Sequence, residues 1–251
     1  MSKKGKIITA SVIAGIMICL IICVFVVMSV RSTKINFLYQ TNLSEAQVVS
    51  QLDNAKVVPY GTSVFCVNKQ ELITKAEQAY PKLKIYSVEF VFPNVVKINC
   101  SERVDLLCVT DKTGNSFVVD GEFKVLSMAS DSQKSNLTSV VFDSDVFNSD
   151  LSVAGKVDFR YLDNCSKLFD YITMQFGEAI SLFNQYFDKI EVKTGYDSNR
   201  NKIEKLVFHL KQNNKKVEFE NVTFDMKKRV DKLIKVVQGE ELIVEDYIIL
   251  S

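Results

Sequence analysis

Hydrophobic and polar positions divide the chain into an uncharged N-terminal run and a longer region of short alternating segments. Residues 7–30 contain no charged side chain. A helix of that length reaches roughly 36 Å at about 1.5 Å per residue, enough to cross a bilayer core of about 30 Å. A cleaved signal peptide is the alternative, but its apolar part is about 7 to 15 residues and ends in a small-residue cleavage site. Residues 26–30 offer no clear site of that kind, so the sequence predicts an uncleaved transmembrane helix.

Basic residues on both sides of this run indicate its orientation. Lys3, Lys4 and Lys6 precede it, whereas Arg31 and Lys34 follow it. The positive-inside rule therefore favours a short cytoplasmic tail, residues 1–6, and places the rest of the chain outside the cytoplasm.

Residues 31–103 show the pattern of a β-α-α-β-β module. INFLY at residues 35–39 predicts a short strand, and Ser44 and Asn68 have the sequence context of helix N-caps, each with Gln or Glu three residues later. Two strands then flank a turn at residues 93–94. Period-two alternation predicts that one face of the first of these strands packs against the helices. That face is formed by Tyr86, Val88, Phe90 and Phe92.

Residues 104–251 form a second and larger region. Short apolar runs up to residue 159, separated by DKTGN, DGE and Ser/Asp-rich stretches, predict a small antiparallel sheet. A helix of up to about 25 residues follows, which Gly177 is expected to break or kink. The later elements are predicted as strands 189–194, 203–211 and 215–222, an Asn213-Asn214 turn and a helix over 225–237. The fold class is therefore α+β, with a mixed antiparallel sheet and flanking helices after the first module.

The C-terminal run is apolar on both faces of a predicted strand. Tyr247 and Ile249 share one face, and Ile248 and Leu250 share the other. No following element covers it, so such a strand is suited to pair with a partner strand by β-augmentation. We therefore predict a partner-binding site formed by Val244, Tyr247, Ile248, Ile249 and Leu250.

Side chains with catalytic potential are sparse. His209 is the only histidine. In Cys-His transpeptidases of the sortase kind the histidine precedes the nucleophilic cysteine, and no cysteine follows His209, so an ordinary strand histidine is predicted. No H-E-x-x-H, G-x-S-x-G, S-x-x-K or P-loop pattern occurs. The prediction is a protein that is not an enzyme and that uses no cofactor or metal, although a glycosidase-like pair of carboxylates assembled in space stays open.

The overall charge bears on whether the chain binds nucleic acid. The chain has 31 basic and 30 acidic residues, a balance that gives no global case for binding nucleic acid. The basic run at residues 226–235 is predicted to be the solvated face of an amphipathic helix.

The cysteines after residue 30 lie in apolar runs or on an apolar helix face. They are predicted to be small buried side chains, although a disulfide bond between two of them stays open. They are Cys66, Cys100, Cys108 and Cys165.

Several short sequence features occur in a distinctive order. They are Gly61 and Phe65 in GTSVF, the turn residues Phe92, Pro93 and Asn94, the strand end Glu102 and Arg103, and Asp120 and Gly121 after paired valines. Their order and spacing resemble the FtsQ/DivIB family of bacterial cell-division proteins, in which a POTRA domain precedes a β-rich domain. The proline usual after Glu-Arg in that family is replaced here by Val104, and the N-terminal tail is very short, so the chain resembles a divergent member.

The resemblance implies a fold and a function. The fold is a cytoplasmic tail (1–6), a transmembrane helix (7–30), a POTRA-like domain (31–103) and a β domain with a C-terminal strand (104–251). The function is that of a single-pass type II scaffold of the bacterial plasma membrane, concentrated at the division septum. It would bind FtsL-like and FtsB/DivIC-like coiled-coil proteins and help to recruit or regulate septal peptidoglycan synthesis, with no small-molecule substrate.

Other classes stay open beside this expectation. They are an extracytoplasmic cell-wall or glycan-processing enzyme, another POTRA-containing membrane assembly protein, and a eukaryotic surface receptor with occupied N-glycans.

Overall fold

The structure of the protein, a computed structural model, describes residues 3–196, 199–211, 215–222, 224–239 and 247–250. Within these ranges, the side chains of residues 3–11, 178–179, 181 and 247–250 are outside the description. The chain divides into two compact units, a first unit of Met1–Glu102 and a second unit of Arg103–Ser251.

The first unit contains the predicted β-α-α-β-β module. Its elements are α1 (Lys3–Val27), β1 (Ser32–Phe37), α2 (Glu45–Asn54), a short 3-10 helix (Val64–Cys66), α3 (Lys69–Ala79), β2 (Leu83–Val91) and β3 (Val95–Glu102). The strands form a three-stranded sheet in the order β1-β3-β2, with β1 parallel and β2 antiparallel to β3. Within the residues that the structure describes, no helix is long and apolar enough to cross a membrane.

The two helices of the module begin at the predicted cap residues. The Ser44 side chain accepts a hydrogen bond from Gln47 N, and the Asn68 side chain accepts from Gln70 N and Glu71 N. These bonds satisfy amides that have no partner inside the first turn of a helix.

A β-bulge changes the register of β2 and makes part of the predicted face wrong. Ile85 pairs with Cys100 and Ser87 pairs with Asn99, so Tyr86 is the extra residue. A bulge adds one residue without adding a pair, and therefore reverses which alternate side chains face the core.

The core of the first unit follows the bulged register. Before the bulge Leu83 and Ile85 are buried, and after it Val88 is buried and Phe90 packs against the core. Tyr86 is instead 46% exposed, and Phe92, which follows the end of β2, is 75% exposed, so the predicted alternation is wrong for both. On the helices, the buried side chains that complete this core are Val48, Leu52, Leu72 and Ala76.

The second unit is built on one large sheet. Its elements are β4 (Leu107–Thr110), β5 (Ser116–Val119), β6 (Val125–Met128), α4 (Asp131–Asn136), β7 (Thr138–Phe142), α5 (Leu162–Phe176), a 3-10 helix (Gly177–Leu182), α6 (Phe183–Tyr186), β8 (Phe187–Tyr196), β9 (Lys202–Leu210), β10 (Lys216–Glu220), α7 (Met226–Val237) and β11 (Tyr247–Leu250). The sheet has eight strands in the order β11-β10-β9-β8-β7-β4-β5-β6.

The direction of some strands differs from the antiparallel prediction. β7 is parallel to both of its neighbours, β4 and β8, and β11 is parallel to β10. Hydrophobic alternation indicates which side chains face the core, but it carries no information about which strand lies alongside.

Helices α5 and α7 of the second unit agree with the predicted pattern, whereas α4 was not predicted. The long helix ends at Phe176, and Gly177 adopts φ +53° before a 3-10 turn, as expected for a break at glycine. Alternate residues of β8, β9 and β10 share one core with α5 and α7. Phenylalanine rings are close together there, with Phe208 and Phe219 ring centroids 5.4 Å apart. The predicted Asn213-Asn214 turn lies outside the described residues.

Candidate functional site

The C-terminal strand lies at one end of the large sheet. Tyr247 pairs with Lys216, and Leu250 pairs with Phe219, so β10 is its neighbour on one side. On the other side of β11 no strand follows in the order of the described strands. An edge strand of this kind presents main-chain donors and acceptors that a partner strand can bind. Of the five predicted binding residues, Val244 is outside the described residues, and the other four are placed by their backbone alone.

The edges of the small sheet in the first unit are partly occupied. At the β1 edge, Ile35 N donates to Glu45 Oε1 of α2 at 3.0 Å. At the β2 edge, Ile85 N donates to Glu77 Oε1 of α3 at 3.0 Å. A carboxylate bound to an edge amide competes with a partner strand for that amide, which makes these edges poorer sites for augmentation than β11.

A charged network covers the face of β8, β9 and β10 that lies opposite the helices. Glu191 Oε1 is 2.6 Å from Lys189 Nζ and 3.0 Å from His209 Nε2, and Lys193 Nζ contacts the other carboxylate oxygen. Burial alone raises the pKa of Glu191, but hydrogen bonds from Lys189 and Lys193 outweigh it and lower that pKa to about 2. Burial lowers the pKa of His209 against the attraction of Glu191.

Glu218 of β10 is the most buried carboxylate in this network. Its side chain has 0% exposure, and Lys205 Nζ on the adjacent strand contacts its Oε1. Burial raises the pKa of Glu218 to about 7, and the nearby Glu220 adds to the effect. Glu218 pairs in register with Ile249 of β11. The proposed partner strand would therefore bind beside a strand that contains a titratable buried group.

This network was not predicted, because its members come from separate strands. The available signal was the alternation of Lys, Glu and Lys at residues 189–193 and of Lys, Glu and Glu at residues 216–220. Such alternation indicates that charged side chains share one face, but only the pairing of β8 with β9 makes Glu191 a diagonal neighbour of His209.

The signature residues Asp120 and Gly121 lie in the turn between β5 and β6, and the Arg103 side chain binds this turn. Arg103 Nη1 donates to Asp120 Oδ2 at 2.6 Å and to Glu122 Oε2 at 2.7 Å, and both members of the first pair are nearly buried. A Cβ on Gly121 would lie 3.3 Å from Thr173 Oγ1 and 3.6 Å from Leu106 Cδ2, so helix and strand pack closely there. These contacts give the three residues a structural role in the second unit, where Arg103 and Asp120 form a buried ion pair and Gly121 allows close packing against Thr173.

The remaining signature residues lie in the first unit. Glu102 accepts from Thr41 Oγ1 at 2.6 Å and from Asn42 N at 3.2 Å, and so holds the loop between β1 and α2. Gly61 adopts φ +79°. Phe92, Pro93 and Asn94 connect β2 to β3 as predicted. Phe65 and Phe92 stand apart from the core, with exposures of 65% and 75%.

The described cysteines are all free thiols. Cys100, Cys108 and Cys165 are buried as predicted, and burial raises the pKa of Cys100 to about 11. Cys66 is exposed, contrary to prediction, because it ends the 3-10 helix after buried Val64.

Surface depressions show where a small molecule could approach the described residues. One is lined by polar residues of α2 with Ala46 and Tyr80, and it contains no carboxylate. Another is lined by Asp188, His209, Leu210, Lys211 and Lys216, and it contains a single carboxylate. Neither brings together two acids. Within the described part of the chain, no group of three or more His, Cys, Asp or Glu residues could hold a metal ion.

No protein-family model matches the chain, and no curated protein matches its sequence. The fold and the candidate site therefore rest on the geometry of this chain alone. That geometry defines an α+β protein of two units, with an edge strand at the end of its larger sheet.

Proposed function

We propose that this protein is a membrane-anchored scaffold of the bacterial division septum and a divergent relative of the FtsQ/DivIB family. Helix α1 crosses the plasma membrane with the N-terminus in the cytoplasm, and the β-α-α-β-β module and the second unit lie outside it. The protein binds FtsL-like and FtsB/DivIC-like coiled-coil proteins and helps to recruit or regulate septal peptidoglycan synthesis. It acts by binding proteins and needs no cofactor.

The observation that carries this proposal is the position of β11 at the edge of the eight-stranded sheet. A partner segment that pairs with β11 gains main-chain hydrogen bonds along its length, which is the usual source of affinity in β-augmentation. The β-α-α-β-β order of the first unit agrees with the POTRA-like domain of the resemblance.

Membrane anchoring is supported by helix α1. From Val12 onward its large hydrophobic side chains are exposed to their surroundings instead of packing on a core. A row of exposed apolar side chains along a helix is costly in water and favourable in a bilayer.

The experiment is co-purification from solubilised membranes, with the full chain and the coiled-coil candidates of the same genome expressed together. We expect both candidates to be recovered with the unaltered chain and lost after deletion of residues 247–251. Successive amides of a strand point to opposite sides, so Ile248→Pro and Ile249→Pro between them remove one donor toward β10 and one toward the free edge. Whichever of the two substitutions removes the donor toward the free edge should abolish capture of the coiled-coil proteins while β11 stays paired with β10.

A matched control lies at the opposite edge of the same sheet. Ala129 N donates to Ser116 O, so the preceding Met128 N–H points away from β5 toward the β6 edge. Met128→Pro removes an edge donor without touching β11 and should leave capture unchanged. Unchanged capture by the folded deletion variant would refute the proposal.

A further inference from the structure

Two loops of the first unit lie beside the C-terminal end of α1. Val64 N donates to Met28 O at 2.9 Å, and Val30 N donates to Thr62 O at 2.9 Å. On the other loop, Asn94 O accepts from Arg31 N at 2.9 Å. The segment that leaves the helix is therefore hydrogen bonded to the 3-10 loop and to the β2–β3 turn.

Each loop presents one large aromatic side chain away from the core. Phe65 is 65% exposed and Phe92 is 75% exposed. Side chains close to each of them in sequence do pack inward, because Val64 is buried and Phe90, two residues before Phe92, packs against the core. The Phe65 ring lies beside Phe25 in the last turns of α1, with the ring centroids 6.0 Å apart.

The surroundings of these aromatic side chains combine apolar and basic character. Val91, next to Phe92, is also exposed. Arg31 and Lys34 are exposed on the segment that follows α1. Apolar side chains such as Phe at the level where a membrane helix ends can be buried at the boundary between headgroups and acyl chains, and Lys or Arg beside them can reach the lipid headgroups.

We infer that Phe65 and Phe92 insert into the outer headgroup region of the bilayer that α1 crosses. This inference rests on the proposed function, because it takes α1 as the membrane anchor. The bilayer is the occupant that the geometry favours, since the Phe65 ring continues the apolar surface of α1 through its contact with Phe25.

The consequence is a fixed orientation of the first unit against the membrane. A single helix end is one point of attachment, around which a domain can tilt. Phe65 and Phe92 add two further points on separate loops. Burial of aromatic side chains at the interface opposes tilting, so the POTRA-like module would stay close to the membrane surface.

The chain contains no tryptophan, so a single tryptophan can report the surroundings of one position. Phe65→Trp, Phe92→Trp and Phe25→Trp are made separately in the full chain. Tyr39→Trp is the matched control, because Tyr39 is 68% exposed and lies just beyond the end of β1 that is distant from α1. Each variant is reconstituted into phosphatidylcholine/phosphatidylglycerol vesicles with and without brominated acyl chains, and circular dichroism checks its fold.

We expect bromolipid quenching and a blue-shifted emission for tryptophan at positions 25, 65 and 92, and neither effect at position 39. Quenching at position 25 alone would overturn the insertion of the two loops while leaving membrane anchoring intact. Absence of quenching at position 25 would count against the anchor itself, and thus against the proposed function. Equal quenching at position 39 would show nonspecific adsorption of the unit and would also overturn the inference.

Discussion

At the scale of single residues, the bulge at Tyr86 decides which side chains form the core of the first unit. Ile85 and Tyr86 are neighbours in sequence, yet Ile85 is buried and Tyr86 is largely exposed with its hydroxyl 3.1 Å from Ser101 Oγ. Simple alternation assigns these two side chains the other way round. The difference can be measured, because only a buried side chain leaves a cavity when it is truncated.

We predict that Ile85→Ala lowers the free energy of unfolding by about 2 to 5 kcal/mol, as expected for a large side chain removed from a core. Tyr86→Ala should cost about 1 kcal/mol, since it removes little more than one part-buried hydrogen bond. Urea denaturation of both variants, followed by circular dichroism, checks the difference. A larger loss for Tyr86→Ala would show that β2 has no bulge.

At the scale of elements, neighbouring strands bring charged side chains together on the face of the sheet opposite α5 and α7. Glu218 of β10 lies beside Lys205 of β9, where both are shielded from water more than surface pairs are. Burial raises the pKa of the Glu218 carboxyl to about 7. We therefore expect the stability of the folded protein to depend on pH through this carboxyl.

The sign of this dependence follows from proton binding. Between the ordinary pKa of 4.5 and the raised value of about 7, the folded chain keeps a proton at Glu218 that the unfolded chain has released. The folded protein therefore loses stability as the pH rises from 4.5 to about 7, and the loss is complete above that range.

We predict that Glu218→Gln removes this contribution, because the amide cannot ionise. The difference in unfolding free energy between the variant and the unaltered protein should increase from pH 4.5 to pH 7 and then level off. Denaturation curves of both proteins across this range measure it, and the subtraction cancels other groups such as His209. A difference that does not change with pH would contradict the assignment.

At the scale of the whole molecule, the two units have separate hydrophobic cores. All buried members of one core belong to the first unit, and all those of the other belong to the second. A change confined to β11 removes a neighbour of β10 but no side chain from the core of the first unit. Loss of partner binding can therefore be separated from loss of folding.

We predict that deletion of residues 247–251 leaves amide hydrogen exchange of β2 and β3 unchanged and accelerates exchange in β10. The physical reason is that β10 loses the strand that pairs with it, whereas the small sheet keeps all of its strands. Mass spectrometry of the exchanged full chain checks both regions together. Faster exchange in β2 and β3 would show that the two units do not fold independently.

The sequence alone determined the features that depend on nearby residues. Ser44 and Asn68 identified the helix starts because a cap bonds to amides only two or three positions away. Gly177 identified the helix break because its positive φ is a property of one residue. The β-α-α-β-β order followed from the hydrophobic period of each segment.

Only the tertiary structure decided the features that depend on distant residues. Tyr86 changed face because β2 pairs with β3 through a bulge, and β7 became parallel to its neighbours because of the strand order. The network around Glu191 and Glu218 exists because separate strands lie side by side. Local sequence specifies the period and the ends of an element, whereas strand neighbours are selected by packing between parts of the chain that are far apart in sequence.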